Sequence, residues 1–103
     1  MYARLVTFSL KPGGRPEAEK GADEFAKLCR TLKGFNSLTL LINEEANEYG
    51  GLSLWQTKQD ADAAMVKLDA NLREHLSSRL VGKPVVGMFE VYESKAEAQA
   101  THR

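Results

Sequence analysis

Apolar residues along this chain fall on both sides of its predicted strands. In the segment 35–43, Leu38, Leu40 and Ile42 point one way and Leu41 the other; further on, Val85, Phe89 and Val91 oppose Val86, Met88 and Tyr92. A sheet carrying a single helical layer ordinarily keeps one wettable face. Neither face is wettable here, and only two segments have helical periodicity. The pattern therefore predicts that the second face meets another copy of the same sheet, giving a homodimer joined through sheet faces.

The elements follow from the same pattern. Residues 2–10 are rich in Val, Leu, Phe and Thr and stop at Pro12-Gly13-Gly14, which predicts a strand and a turn. Pro16 suits a helical first turn and Glu17 and Glu19 its positive end; Ala18, Ala22, Phe25, Ala26, Cys29 and Leu32 then recur at helical spacing up to Lys33-Gly34, where glycine serves as the left-handed cap. Strands at 35–43 and 49–55, joined by the polar turn 44–48, form an antiparallel hairpin. Thr57 caps the next helix with Asp60 three residues on, and Ala61, Ala64, Met65, Leu68, Leu72 and Leu76 form its apolar stripe, running to about residue 81. Gly82 and Pro84 punctuate before a last strand at 85–93. Right-handed crossovers in the two strand-helix-strand units put both helices on one side of a four-stranded antiparallel sheet. The fold class is α+β, a ferredoxin-like βαββαβ domain over residues 1–93, followed by a small polar tail, 94–103, that frays or lies across a partner subunit. Burying about 500 Å² of apolar surface on the open face would contribute on the order of 12 kcal/mol before association costs.

Composition narrows the partners. The 103 residues suit one domain, and 14 Lys and Arg balance 14 Asp and Glu, so no net field draws in nucleic acid or anionic lipid. No uncharged apolar run approaches the roughly 20 residues needed to span a bilayer, and the opening run, interrupted by Arg4, does not read as a secretory signal. With a lone Cys29, the economical address is a reducing cytoplasm.

Taken together, the helix running into Leu32-Lys33-Gly34-Phe35, the hairpin through Asn43-Glu44-Glu45, and the run from Leu52 through Trp55-Gln56-Thr57 to Ala61 resemble the antibiotic biosynthesis monooxygenase-like family of the dimeric α/β-barrel superfamily. The resemblance covers nearly the whole chain. It implies two sheets closing into a barrel between subunits and a ligand cleft between sheet and helices in each. It also implies a range of activities: cofactor-independent oxygenation of phenols and quinols, haem degradation, or none assigned. The first strand has no asparagine and the helix near Ala64 and Met65 no aromatic residue, which disfavours haem degradation; only His75 falls near the histidine position of the haem-degrading members.

Two residues carry the chemical expectation. His75 is a candidate general base for a phenolic hydroxyl, because imidazole exchanges protons near physiological pH; flanking the leucine stripe, it also fits a boundary histidine without a chemical role. Trp55 is a candidate stacking wall and hydrogen-bond donor for an aromatic ligand, or a core tryptophan. Cys29 lies on an apolar stripe and reads as structural. Glu44, Glu45 and Glu48 read as a solvated turn rather than a metal site, and the Gly13-Gly14 and Gly50-Gly51 pairs lack the spacing of a nucleotide or flavin motif. Gly51 reads as relieving crowding in the hairpin or letting a backbone approach closely. Tyr2, Tyr49, Tyr92, Arg4 and Arg79 remain candidate pocket groups. The first expectation is a cofactor-independent monooxygenase acting on an aromatic or quinol-type small molecule. The alternative is a non-catalytic small-molecule-binding or accessory dimer, with haem binding a third possibility.

Overall fold

The structure, a computed structural model, describes residues 1–94. The elements run β1 (Tyr2–Leu10), α1 (Arg15–Arg30), β2 (Phe35–Asn43), β3 (Glu48–Trp55), α2 (Lys58–Leu76) and β4 (Leu80–Glu90). The sheet order is β2-β3-β1-β4 with every neighbouring pair antiparallel, the ferredoxin-like arrangement expected from the sequence. The tail beyond residue 94, expected to fray or to cover a partner, lies outside the described residues.

Several boundaries differ from expectation. The first helix ends at Arg30, because Thr31 and Leu32 donate instead to the carbonyls of Leu28 and Cys29 in a tightened turn. Gly34 (φ +81°) therefore acts in the turn into β2 and not as a helix cap, and a side chain there would overlap the Asp60 carboxylate. The second helix stops at Leu76, not near residue 81. The last strand begins at Leu80, not Val85, and ends at Glu90. Gly82 and Pro84 lie inside it: between Ser9↔Val81 and Thr7↔Val85 the register gains two residues on β4, and this bulge holds Gly82 at φ +74° together with Pro84, which has no N–H to donate. A strand at the edge of the sheet tolerates both.

Register assigns the faces. Tyr2, Arg4, Val6 and Phe8 of β1 stand beside Trp55, Ser53, Gly51 and Tyr49 of β3 on the side the helices cover. Two packed clusters lie there. One joins Val6, Leu10 and Tyr49 to Ala18 of α1 and Leu72 and Leu76 of α2; the other joins Trp55 to Phe25 and Cys29 of α1 and to Ala61, Ala64 and Leu68 of α2. Arg4, between them along β1, is 1% exposed and paired with Asp69 of α2.

Burial pushes the Cys29 thiol up to about 11, partly opposed by the Arg4 charge. A thiol held neutral by folding stabilises the native state fully below its unfolded pKa, and that contribution is lost as pH rises through the folded value. Stability should therefore decline between about pH 9 and 11, and Cys29→Ala should flatten that decline in urea titrations. Native protein at pH 8 should also resist iodoacetamide until unfolded.

Candidate functional site

A half-open cavity of about 170 Å³ lies between the covered face of the sheet and both helices. Val6 and Phe8 of β1, Leu40 and Ile42 of β2, and Phe25 and Leu72 of the helices make its walls apolar. Tyr49 stacks on Phe8 with ring centroids 6.1 Å apart, so one side of the cleft is a fixed aromatic surface. Its mouth lies along the end of β2, where Leu40 and Ile42 remain 43% and 46% exposed because the helices do not reach that edge.

Polar groups enter from the helices. Asn71 and His75 are four residues apart on α2, hence on one face, beside the stripe of Leu72 and Leu76 that anchors the helix. Among the described residues neither side chain makes a hydrogen bond or ion pair, so both are available to a ligand. Glu19 and Asp23, likewise one turn apart, enter from α1. Glu19 is bonded to Arg15, which also reaches Glu44.

The structure places His75 on the cavity wall but does not bring Trp55 to it. Trp55 is 0% exposed, packs edge-on against Phe35 with centroids 5.5 Å apart, and donates its indole N–H to Ser53 Oγ at 2.9 Å. The hydroxyl of Ser53 is in turn directed at the Arg4 carbonyl. A ring enclosed in this way offers no face to a ligand, so the expected stacking wall is corrected to a core tryptophan. The aromatic surface of the cleft comes from Phe8, Tyr49 and Phe25 instead. Of the other candidate pocket groups, Tyr49 lines the cleft, Arg4 is sealed against Asp69, Arg79 pairs with Glu17 at 2.8 Å and Tyr92 projects outward. Asn71 and Asp23 were not singled out from the sequence. The signal for Asn71 is its spacing from His75 along the leucine stripe.

No family model matches the chain, and no curated protein matches it in sequence. Solved structures do match. SnoaB of Streptomyces nogalater, a cofactor-independent oxygenase, is 18% identical with a TM-score of 0.71 over 91% of this chain and 95% of its own. The Streptomyces coelicolor monooxygenase from the gene ActVA-Orf6, solved with the ligand nanaomycin D, is 22% identical with a TM-score of 0.71 over 90% of this chain and 88% of its own. A Bordetella bronchiseptica protein described as an antibiotic biosynthesis monooxygenase is 17% identical with a TM-score of 0.73 over 89% of this chain and 97% of its own. The chain thus has the fold of the antibiotic biosynthesis monooxygenases, as its sequence resemblance implied. At these identities the likeness is one of fold.

Proposed function

We propose that the protein is a cofactor-independent monooxygenase acting on a quinol-type aromatic molecule held in this cleft, with His75 as proton acceptor. The observation that carries the reading is the pairing of His75 and Asn71 on one wall of an otherwise apolar, aromatic-lined cavity. An apolar hollow with a few converging polar groups is the usual form of a small-molecule site. Similarity to a cofactor-independent oxygenase and to a monooxygenase solved with a ligand supports the same class.

In this reading the ring stacks against Phe8 and Tyr49, the Asn71 amide holds one oxygen, and His75 removes the proton of a hydroxyl. The resulting anion is electron-rich enough to reduce dioxygen. One oxygen atom replaces a ring hydrogen as a hydroxyl, and the other leaves as water with the two hydroxyl hydrogens of the quinol. The four electrons taken by dioxygen come in equal parts from the hydroxylated carbon and from the passage of quinol to quinone. The walls exclude water from the anion while it forms. The two subunits join through the open faces of their sheets, and the unpaired Cys29 suits a reducing compartment such as the cytoplasm. No helix among the described residues is long and apolar enough to cross a membrane.

Oxygen uptake with methylhydroquinone, a one-ring quinol, corrected for its spontaneous oxidation, tests this reading. His75→Ala should lower kcat by about 100-fold or more while leaving quinol binding within a few-fold, the loss typical of a missing general base. Unchanged turnover in that variant removes the assignment of His75. Binding by the native protein without turnover favours the non-catalytic binder.

A further inference from the structure

Resting on the reading of the cleft as an aromatic site, we propose that it selects a one-ring phenol that is neutral or bears an ammonium group and carries no carboxylate, with Gly51 making room for the ring and Asp23 and Glu19 rejecting anions.

The room has an identifiable origin. Gly50 and Gly51 are neighbours in β3, yet they are glycine for different reasons. A Cβ at Gly50 would lie 2.6 Å from the Val6 carbonyl oxygen, so the adjoining backbone forbids a side chain. A Cβ at Gly51 would meet nothing nearer than 3.6 Å, and its φ is not in the left-handed region. Nothing in the backbone requires glycine there, and glycine weakens the interior of a strand. Its side-chain position points into the cleft among Val6, Leu38 and Leu40. Across the cleft Gly21 of α1 is similar: a Cβ would make ordinary contact with Leu76 at 3.5 Å. The hollow exists because two positions that would accept a side chain lack one. Its volume of about 170 Å³ is close to the roughly 150 Å³ of an apolar cavity that takes up benzene. It falls well below the roughly 300 Å³ at which pockets for drug-sized ligands begin.

The charge has one sign. The ionised groups lining the cleft are Glu19 and Asp23, with no Lys or Arg among its lining residues. Arg15, the nearest cation bonded to either, is shared between Glu19 and Glu44, leaving the mouth with an excess of carboxylates. Asp23 has no cationic partner among the described residues. A carboxylated ligand would have to lose water beside these groups, whereas an ammonium or neutral group would not.

Three probes share a ring and differ in charge: tyramine, p-cresol and 4-hydroxyphenylacetate. In NMR titrations at pH 7 and low salt, affinity should fall in that order, with at least threefold between the ends. E19Q/D23N should collapse the order. Gly51→Val should weaken all three at least tenfold with an unchanged or higher melting temperature, and Gly51→Ala should weaken them less. The neutral three-ring 2-anthrol should fail to displace p-cresol. Phenols that bind without this order, an order that survives E19Q/D23N, unaltered affinity in a folded Gly51→Val or Gly51→Ala protein, or displacement by 2-anthrol would overturn the selectivity and leave the aromatic site standing. Binding by none of the probes would overturn both.

Discussion

Asp69→Ala should cost about 3 kcal/mol of stability, far more than the loss of any surface ion pair in this protein. The reason lies with its partner. Arg4 is 1% exposed, and Asp69 is its only ionic partner among the described residues. Two further guanidinium nitrogens, Nε and Nη1, are buried without a hydrogen-bond acceptor among the described residues. Burial already pulls the guanidinium below its usual pKa, with the Asp69 charge and hydrogen bond opposing the pull. Removing the carboxylate leaves a charge in an apolar layer with nothing to offset its desolvation, which costs about 3–5 kcal/mol in fully buried pairs. Asp69 is 34% exposed, so water offsets part of the loss and the lower end applies. For a domain of this size that is a fall in Tm on the order of 15 °C. The double variant Arg4→Met with Asp69→Leu should recover most of the loss, because Met at position 4 can pack beside Val6 and Met88 with no charge to solvate. Asp62→Ala, which breaks the exposed pair with Lys58, should change stability by about 0.5 kcal/mol or less. Urea and thermal melts of the three proteins decide the matter. A single Asp69→Ala variant melting within a few degrees of the native protein would mean that water reaches Arg4.

The part of the molecule legible in the sequence is the part fixed by periodicity. Alternation in residues 35–43 gave both faces of β2, and the stripe from Ala61 to Leu76 gave the buried face of α2. Thr57 gave that helix its start, where its hydroxyl accepts from the Asp60 N–H at 3.1 Å. Boundaries failed where local signals lost to tertiary pairing. Gly82 and Pro84 look like a break in any short window, and they continue as strand only because β1 lies alongside to absorb them in a bulge. Trp55 failed for a related reason. Its place on the helix-facing side follows from alternation, but whether that stretch of sheet opens to a cavity or is sealed depends on Phe25, Cys29 and Ala64 arriving from two helices. His75 and the cavity coincide because α2 exposes its flank just past the point where Leu72 anchors it. The cleft was expected from the family resemblance alone; its size and exact place were not legible in the pattern of residues, since they are set by side chains missing at Gly21 and Gly51, and an absence has no period.

The open face of the sheet bears the second large effect, on association. Leu5 and Leu52 stand directly opposite one another there, Leu54 lies beside Ala3, and Phe89 and Val85 extend the patch along β4. Leu41, Val85 and Phe89 are 44%, 67% and 54% exposed in the single chain, and neither helix touches this side. A continuous apolar surface of this kind is stable in water when a second copy covers it. Two-fold symmetry presents every residue of such an interface twice, so Leu52→Lys places two charges in it. At about 2 kcal/mol or more for each, the dimer dissociation constant should rise about a thousandfold. Light scattering behind size exclusion should show the native chain as a dimer and the variant as a monomer at the same concentration. The variant should also melt lower, because association stabilises the folded protomer by mass action. Val66→Lys is the matched control: Val66 is 76% exposed on the outer side of α2, and the charge there should alter neither mass nor melting. A native chain that stayed monomeric at millimolar concentration would mean that the sheet tolerates water on this face, and the barrel would have to be abandoned. The cleft lies on the other side of the sheet, so the binding order of the three phenols should survive in the Leu52→Lys monomer if that protein remains folded.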